Sequence, residues 1–199
     1  MEAALAREGD DPEQIRDIKQ ATFDRAYPAL FYGIKNKSIN SRDLKLDDIF
    51  DNSAYTNPIL CTSVAKFFDI DPLVLDTADI KGPESVDKQI RYTQNAIKRL
   101  TEGKKYACYE ANNIDYTIFA ARRCLFLVET YKARMKINTN RTKGIELFEE
   151  LLEEAQALKY EHKRIWDMEA KPYAIDLPLN KYDIIIDKYK KYIEKLKSE

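Results

Sequence analysis

The histidine at position 162 is the only one among the 199 residues of the chain, and it limits the catalytic chemistry that side chains can perform. A pair of imidazole ligands for a metal ion needs a second histidine, and a Ser-His-Asp triad would have to use His162 itself. His162 falls on the apolar stripe of a predicted helix over residues 145–170, where a histidine usually makes a hydrogen bond within the core. We therefore interpret His162 as a core or interface residue. A ligand pocket formed by His162, Asp115 and tyrosines is the least favoured of the functional hypotheses.

The carboxylates and glycines give no motif for phosphate or metal chemistry. The sequence contains neither GxxxxGKS/T nor GxGxxG, the glycine-rich motifs that cradle phosphates. Two acidic clusters lack the spacing of a calcium-binding loop and are expected on solvated helix faces: Asp47-Asp48-Asp51 and Glu149-Glu150-Glu153-Glu154. The basic groups at Arg122-Arg123 and at residues 188–197 are interpreted as surface charge. The sequence therefore predicts no catalytic residue, no metal ligand and no cofactor.

The cysteine spacing and the first residues of the chain indicate the cellular compartment. Cys61, Cys108 and Cys124 are odd in number and form no CxxC pair, so we expect small buried hydrophobic residues rather than a zinc site or disulfides. Residues 1–11 lack the basic start and apolar core of a signal peptide. The apolar stretch 118–128 is too short to span a bilayer. These features predict a cytoplasmic location and no membrane partner.

The overall composition favours a helical protein. Apolar residues make up 44% of the chain, enough for a core, while only 5 glycines argue against turn-rich β architectures. The sum of Lys and Arg is 33 and that of Asp and Glu is 34, so the chain carries no electrostatic footprint for nucleic acid. The 13 tyrosines are expected to line the seams between helices, and an aromatic surface for a sugar or a partner domain is the alternative.

Helical periodicity and breaker residues place the elements. One helix is predicted over residues 12–27, with Pro28 ending or kinking it, and others over residues 58–68 and 83–100, the last closed by Gly103. A short helical turn is predicted around residues 46–50. Two long amphipathic helices follow within residues 105–137 and 142–170, the first with one wide apolar stripe, and a final helix begins near residue 180. The prediction is an all-α antiparallel bundle of five to six helices, the last three long and amphipathic. Residues 1–53 are predicted as an irregular, partly helical segment and 54–199 as the bundle domain.

Capping residues set the expected helix ends in the second half of the chain. The pair Thr139-Asn140 offers a capping turn between the two longest helices. Asn180 or Asp176 is expected to cap the last helix, after a short connection over residues 173–179.

The stretch 161–189, EHKRIWDMEAKPYAIDLPLNKYDIIIDKY, carries a family resemblance. A helix that ends in Trp, followed by Lys-Pro, an aromatic residue and a final helix, resembles the close of the α-helical C-terminal domain of some family-20 glycoside hydrolases, the N-acetyl-β-hexosaminidases. The positions that carry the resemblance are Trp166, Lys171, Pro172 and Tyr173. We predict that Trp166 is buried where the last two helices meet. The two long helices before them resemble the antiparallel pair that precedes this motif in the family, and the looser similarity extends back to residue 54.

The resemblance implies a domain without the catalytic machinery. Those enzymes use an adjacent Asp-Glu pair on a (β/α)8 barrel, whereas this sequence contains no Asp-Glu dipeptide and lacks the roughly 250 residues of a barrel. The resemblance therefore implies a non-catalytic accessory domain, or the C-terminal portion of such an enzyme. Its partner would be a catalytic barrel or a second copy of the chain, with Trp166, Lys171, Pro172, Tyr173 and His162 at the interdomain contact.

A second hypothesis follows from the helices alone. Amphipathic helices with charged outer faces and no catalytic constellation are also typical of a protein-protein interaction domain whose grooves bind a partner helix or peptide. For this chain alone, both hypotheses predict no enzymatic activity.

Overall fold

The computed structural model describes residues 12–39, 44, 67–75, 83–169 and 174–199. These ranges contain five α-helices, no β-strand, and a short 3-10 turn at Phe67–Asp69. The helices are α1 (Pro12–Tyr32), α2 (Pro83–Lys104), α3 (Ala111–Thr139), α4 (Arg141–Glu169) and α5 (Asp176–Ser198). The predicted all-α bundle with three long final helices is confirmed. The boundary proposed between residues 53 and 54 lies outside the described residues.

Helices α2 to α5 follow one another in alternating directions. Lys104 at the end of α2 pairs with Asp115 at the start of α3, and Lys132 near the end of α3 pairs with Asp87 at the start of α2. Asn140 alone connects α3 to α4, which folds the two into a hairpin. Each helix packs extensively on the next one in the chain: α2 on α3, α3 on α4, and α4 on α5.

Helix α3 is central and is buried on two sides rather than along the one wide stripe that we predicted. One side packs on α2 through a cluster that includes Ala121, Cys124 and Val128. The other side packs on α4, α5 and the 3-10 turn through Phe119, Phe126, Leu127 and Ala133. A helix with neighbours on two sides carries apolar residues around much of its circumference, which blurs the single-stripe pattern. Helix α3 therefore separates these two clusters, and its first turn contributes to a third cluster with the ends of α1 and α2.

The predicted turn between α3 and α4 is confirmed, whereas the predicted end of α2 is wrong. The Asn140 Oδ1 atom accepts a hydrogen bond of 3.0 Å from the Lys143 backbone N–H, which is the bond expected of a residue that caps α4. Gly103 does not close α2, because the helix continues to Lys104. A Cβ atom on Gly103 would lie 2.5 Å from Leu44 Cδ2, so this glycine provides room for Leu44 instead.

The predicted start of the last helix is also wrong. Helix α5 begins at Asp176, so the expected connection over 173–179 is shorter and Asn180 lies inside the helix. The residue at the N-cap is Ile175, and its side chain makes no capping hydrogen bond. Ile175 is buried, so apolar packing fixes this helix start in place of the polar cap that we expected.

Pro28 does not end α1, which continues to Tyr32. Its last turn is held by residues far along the chain: the Tyr109 hydroxyl donates to the carbonyls of Ala29 and Leu30 at 3.0 and 2.9 Å. Gly33 then ends the helix with a φ of 64°, a left-handed conformation that glycine adopts without strain. These tertiary hydrogen bonds attach the last turn of α1 to the loop that follows α2.

The remaining predictions about the elements have mixed outcomes. Most of the predicted 58–68 helix and all of the predicted turn at 46–50 lie outside the described residues, as does Cys61. Cys124 is buried as expected, whereas Cys108 is exposed, because it lies in the loop that follows α2. Within the described ranges, no helix is long and apolar enough to cross a membrane.

Candidate functional site

His162 lies in the middle of an aromatic cluster between α3, α4 and α5. Its Nδ1 atom is 3.3 Å from the Tyr182 hydroxyl oxygen, and its ring centroid is 5.3 Å from that of Phe119. Burial, followed by the nearby Arg123 guanidinium, lowers the pKa of the imidazole below its ordinary value. A neutral histidine that is hydrogen-bonded among aromatic rings contributes packing between helices, in agreement with the interpretation from sequence.

Arg123 connects this cluster to the 3-10 turn. Its guanidinium carbon lies 4.5 Å from the centroid of the Phe67 ring and 5.0 Å from that of the Phe68 ring. A guanidinium that is stacked on aromatic faces gains a cation–π attraction, which is larger where the group is shielded from water. Arg123 therefore holds the turn against α3, and its interpretation as surface charge is wrong.

Asp115 belongs to an ionic network that joins three helices. The Asp115 carboxylate is 2.5 Å from Lys104 Nζ on α2 and 3.4 Å from Arg164 Nη2 on α4. Arg164 is also paired with Glu161 at 2.7 Å. Two cations compensate the buried Asp115 charge, as a buried carboxylate requires. Asp115 and His162 thus lie at the same end of the α3–α4 hairpin, but each has its own partners.

The residues of the family resemblance are only partly described. Trp166 is half-buried near the end of α4, with its ring centroid 6.3 Å from that of His162. We predicted that Trp166 is buried where the last two helices meet, and this is wrong as to the extent of burial, because the residue is close to the helix end. Lys171, Pro172 and Tyr173 lie outside the described residues.

A groove that sequence reasoning missed lies between α2 and α4, and α3 forms its floor. Its volume is about 1040 Å³. Four floor residues recur at spacings of three, four and three along α3, so they share one helix face: Arg122, Leu125, Glu129 and Lys132. The apolar wall residues are Ile90 and Ile97 on α2 and Leu147 and Leu151 on α4. This face of α3 is the one between its two core clusters.

Two ion pairs connect the floor of the groove to its walls. Arg122 donates two hydrogen bonds of 2.9 Å to the two carboxylate oxygens of Glu154 on α4. Lys132 Nζ is 2.9 Å from the carboxylate of Asp87 on α2. Bidentate arginine pairs have a fixed geometry, and this one is partly shielded from water. The bidentate pair therefore links α4 to the α3 face, and the more exposed Lys132–Asp87 pair connects α2 to the same face.

Glu129 lies on the same floor between these two pairs. Burial, followed by the charge of Glu154, raises the pKa of its carboxyl to about 7, and Lys132 opposes the shift. Within the described part of the chain, the Glu129 carboxylate makes no hydrogen bond and no ion pair. A half-buried carboxylate that makes no hydrogen bond and no ion pair is energetically unfavourable when ionised, because burial removes part of its hydration.

The sequence contained one signal of this groove. The stripe of Arg122, Leu125, Glu129 and Lys132 mixes charges with one leucine in the middle of the most apolar helix, which is unusual for a helix with two packed neighbours. Glu154, which we assigned to a solvated face, is half-buried in its pair with Arg122. In the ranges that the structure describes, no group of three or more metal-ligating side chains could hold a metal ion.

Comparison of the chain with protein-family models, with curated proteins and with solved structures gives no match.

Proposed function

We propose that the chain is a non-catalytic helical domain that binds another polypeptide, and that the groove between α2 and α4 is its binding surface. The observation that carries this proposal is the groove itself: the face of α3 that includes Leu125 and Glu129 lines it and stays partly exposed between α2 and α4. Helix α3 is covered by neighbours on both adjoining sides, so a further helix would complete the packing around it.

The lining of the groove suits a polypeptide. Leu125 of α3 and the apolar wall residues of α2 and α4 line one channel, together with charged side chains on its floor and on both walls. Apolar anchors beside charged groups suit an amphipathic helix, which brings both kinds of side chain to a groove. The groove cations Arg122 and Lys132 are already paired within the fold, so they serve to fix its shape.

The test compares variants in an affinity capture from the source cells. Leu125→Lys places a charge on the groove floor, and we expect it to abolish retention of a stoichiometric partner that the wild type retains. The matched control is Ile184→Lys, which alters an apolar side chain on α5 that is 55% exposed, and it should retain the partner. Equal retention by both variants, or no partner for the wild type, would contradict the proposal.

A more specific candidate follows from the resemblance to the N-acetyl-β-hexosaminidases. The order of elements supports it: Trp166 lies near the end of the α3–α4 hairpin, and α5 follows, as in the family pattern. On this proposal the chain packs beside a catalytic barrel, or dimerises it, and the interdomain contact includes Trp166.

An activity assay and a binding assay test this candidate together. The chain alone should not hydrolyse an aryl N-acetylglucosaminide, because it has no Asp-Glu pair. It should bind a separately expressed family-20 barrel domain in a pull-down. Hydrolysis by the chain alone would contradict the non-catalytic role, and failure to bind the barrel would contradict the accessory role.

A further inference from the structure

The two walls of the groove differ in charge. On α2, Lys88 and Arg91 line the wall, while the one acidic residue, Asp87, is paired with Lys132. On α4, the charged lining residues are Glu150 and Glu154, both acidic. A partner in the groove therefore meets positive charge along one rim, negative charge along the other, and apolar side chains between them.

Glu129 adds a negative group to the floor, and its position determines which charge a partner must bring. It lies about one helical turn from Leu125 and one from Lys132, and the α4 carboxylates of Glu150 and Glu154 contribute to its electrostatic environment. A cation that enters from the α4 side would meet Glu129 and Glu150 together. Glu154 is already occupied by Arg122.

We propose that the groove binds an amphipathic helix whose apolar stripe covers Leu125 and whose lysine or arginine pairs with Glu129 and Glu150, with acidic residues of the partner beside Arg91. This inference rests on the proposed function and names the partner's chemistry. Charge complementarity of this kind fixes the orientation of a bound helix as well as its affinity. A helix with the opposite arrangement of charges would meet like charge on both rims.

The same pairing makes binding depend on pH. The charged groups in the groove around Glu129 are Arg122 and Lys132 on α3, Glu150 and Glu154 on α4, and Asp87, Lys88 and Arg91 on α2. Of these, Glu154 and Glu150 raise the pKa of Glu129 and Lys132 lowers it. A cation binds the ionised carboxylate, so affinity rises with pH through the value of about 7 that burial and the two neighbouring carboxylates set. Between pH 6 and pH 8 the ionised fraction changes about tenfold, and so should the dissociation constant.

Two synthetic helices serve as probes. Both are hydrocarbon-stapled 16-residue peptides with the same leucine stripe, and the first has lysines along one edge and glutamates along the other. The second has the lysines and glutamates exchanged. Fluorescence anisotropy measures their binding to the full chain and to its Glu129→Gln and Glu153→Gln variants at pH 6, 7 and 8. Glu153 is an exposed carboxylate on α4 outside the groove, so its substitution is the matched control.

The first peptide should bind at least tenfold more tightly than the second at pH 8. Its affinity should fall about tenfold from pH 8 to pH 6 for the wild type and for Glu153→Gln, and stay level for Glu129→Gln. If neither peptide binds, the proposed function itself is contradicted. If both bind equally, or if Glu129→Gln leaves the pH dependence in place, the groove binds helices but this inference is overturned.

Discussion

Substitution of Glu129 by glutamine should stabilise the fold at alkaline pH and leave it unchanged at acidic pH. The folded state raises the pKa of Glu129 from its ordinary 4.5 to about 7, mainly through burial. Because folding raises the pKa of this carboxyl, its contribution to the free energy of unfolding is fully present below pH 4.5 and is lost as the pH rises through 7. The wild type should therefore lose stability across this interval, whereas Glu129→Gln has no charge to bury.

The magnitude follows from the same two values. One pH unit between the folded and unfolded pKa corresponds to about 1.4 kcal/mol, so complete ionisation of Glu129 costs the folded state about 3 kcal/mol. The side chain keeps partial contact with solvent, so we reduce the expected value to about 2 kcal/mol. At pH 8 the glutamine variant should exceed the wild type by this amount, and at pH 4.5 or below the two should agree.

Urea denaturation followed by circular dichroism at 222 nm measures the free energy of unfolding at pH 4.5, 6, 7 and 8. The difference between variant and wild type isolates Glu129 from the other titrating groups. Glu153→Gln, which removes an exposed carboxylate from α4, should follow the wild type at every pH. A difference that is constant with pH, or that is equally large for Glu153→Gln, would refute the reasoning.

Three further predictions concern packing elsewhere in the fold. Tyr189 is fully buried, and its hydroxyl oxygen is 2.6 Å from Thr130 Oγ1. In urea titrations, Tyr189→Phe should lower the free energy of unfolding by about 1 kcal/mol. Thr130→Val leaves a buried phenol unpaired, so it should lower the free energy of unfolding by about 2 kcal/mol. The double variant should cost less than the sum, and strict additivity would contradict this pairing. Gly33→Ala should lower the midpoint of thermal unfolding by several degrees, because the φ of Gly33 is 64° and a Cβ atom would lie 2.6 Å from Tyr109 Cε1. An unchanged midpoint would contradict the left-handed conformation of Gly33 and its contact with Tyr109. Trp166→Ala should cost about 2 kcal/mol, less than the 3–5 kcal/mol of a fully buried aromatic residue, and a loss under about 1 kcal/mol would place the ring at the surface.

The sequence predicts helices more reliably than helix ends. Periodicity was sufficient for α4 and its start at the Asn140 turn, because both depend on residues close in sequence. The end of α1 was predicted wrongly at Pro28, since the last turn of the helix accepts hydrogen bonds from the Tyr109 hydroxyl, about 80 positions later in the chain. The end of α2 was predicted wrongly at Gly103, because the glycine accommodates the Leu44 side chain, and this tertiary contact has no local sequence pattern.

The groove was not predicted from the sequence, and the reason is related. A stripe of mixed charges on α3 is compatible with a solvated face until the positions of α2 and α4 are known. The pairing of Arg122 with Glu154 spans 32 positions, and no local pattern predicts it. His162, by contrast, was interpreted from sequence as a core or interface residue, and it is half-buried between helices with its ring near the Tyr182 hydroxyl, because its place on an apolar stripe is a local property.

Photo-crosslinking from the floor of the groove tests the central claim most directly. The photoreactive residue p-benzoylphenylalanine replaces Leu125 in one variant and Ile184 on α5 in another, and both are irradiated in the source cells. A groove that binds a polypeptide predicts a single covalent adduct from position 125 and none from position 184, with the attachment site on an amphipathic helix of the partner. An adduct from position 184 alone, equal adducts from both positions, or none from either would contradict the account.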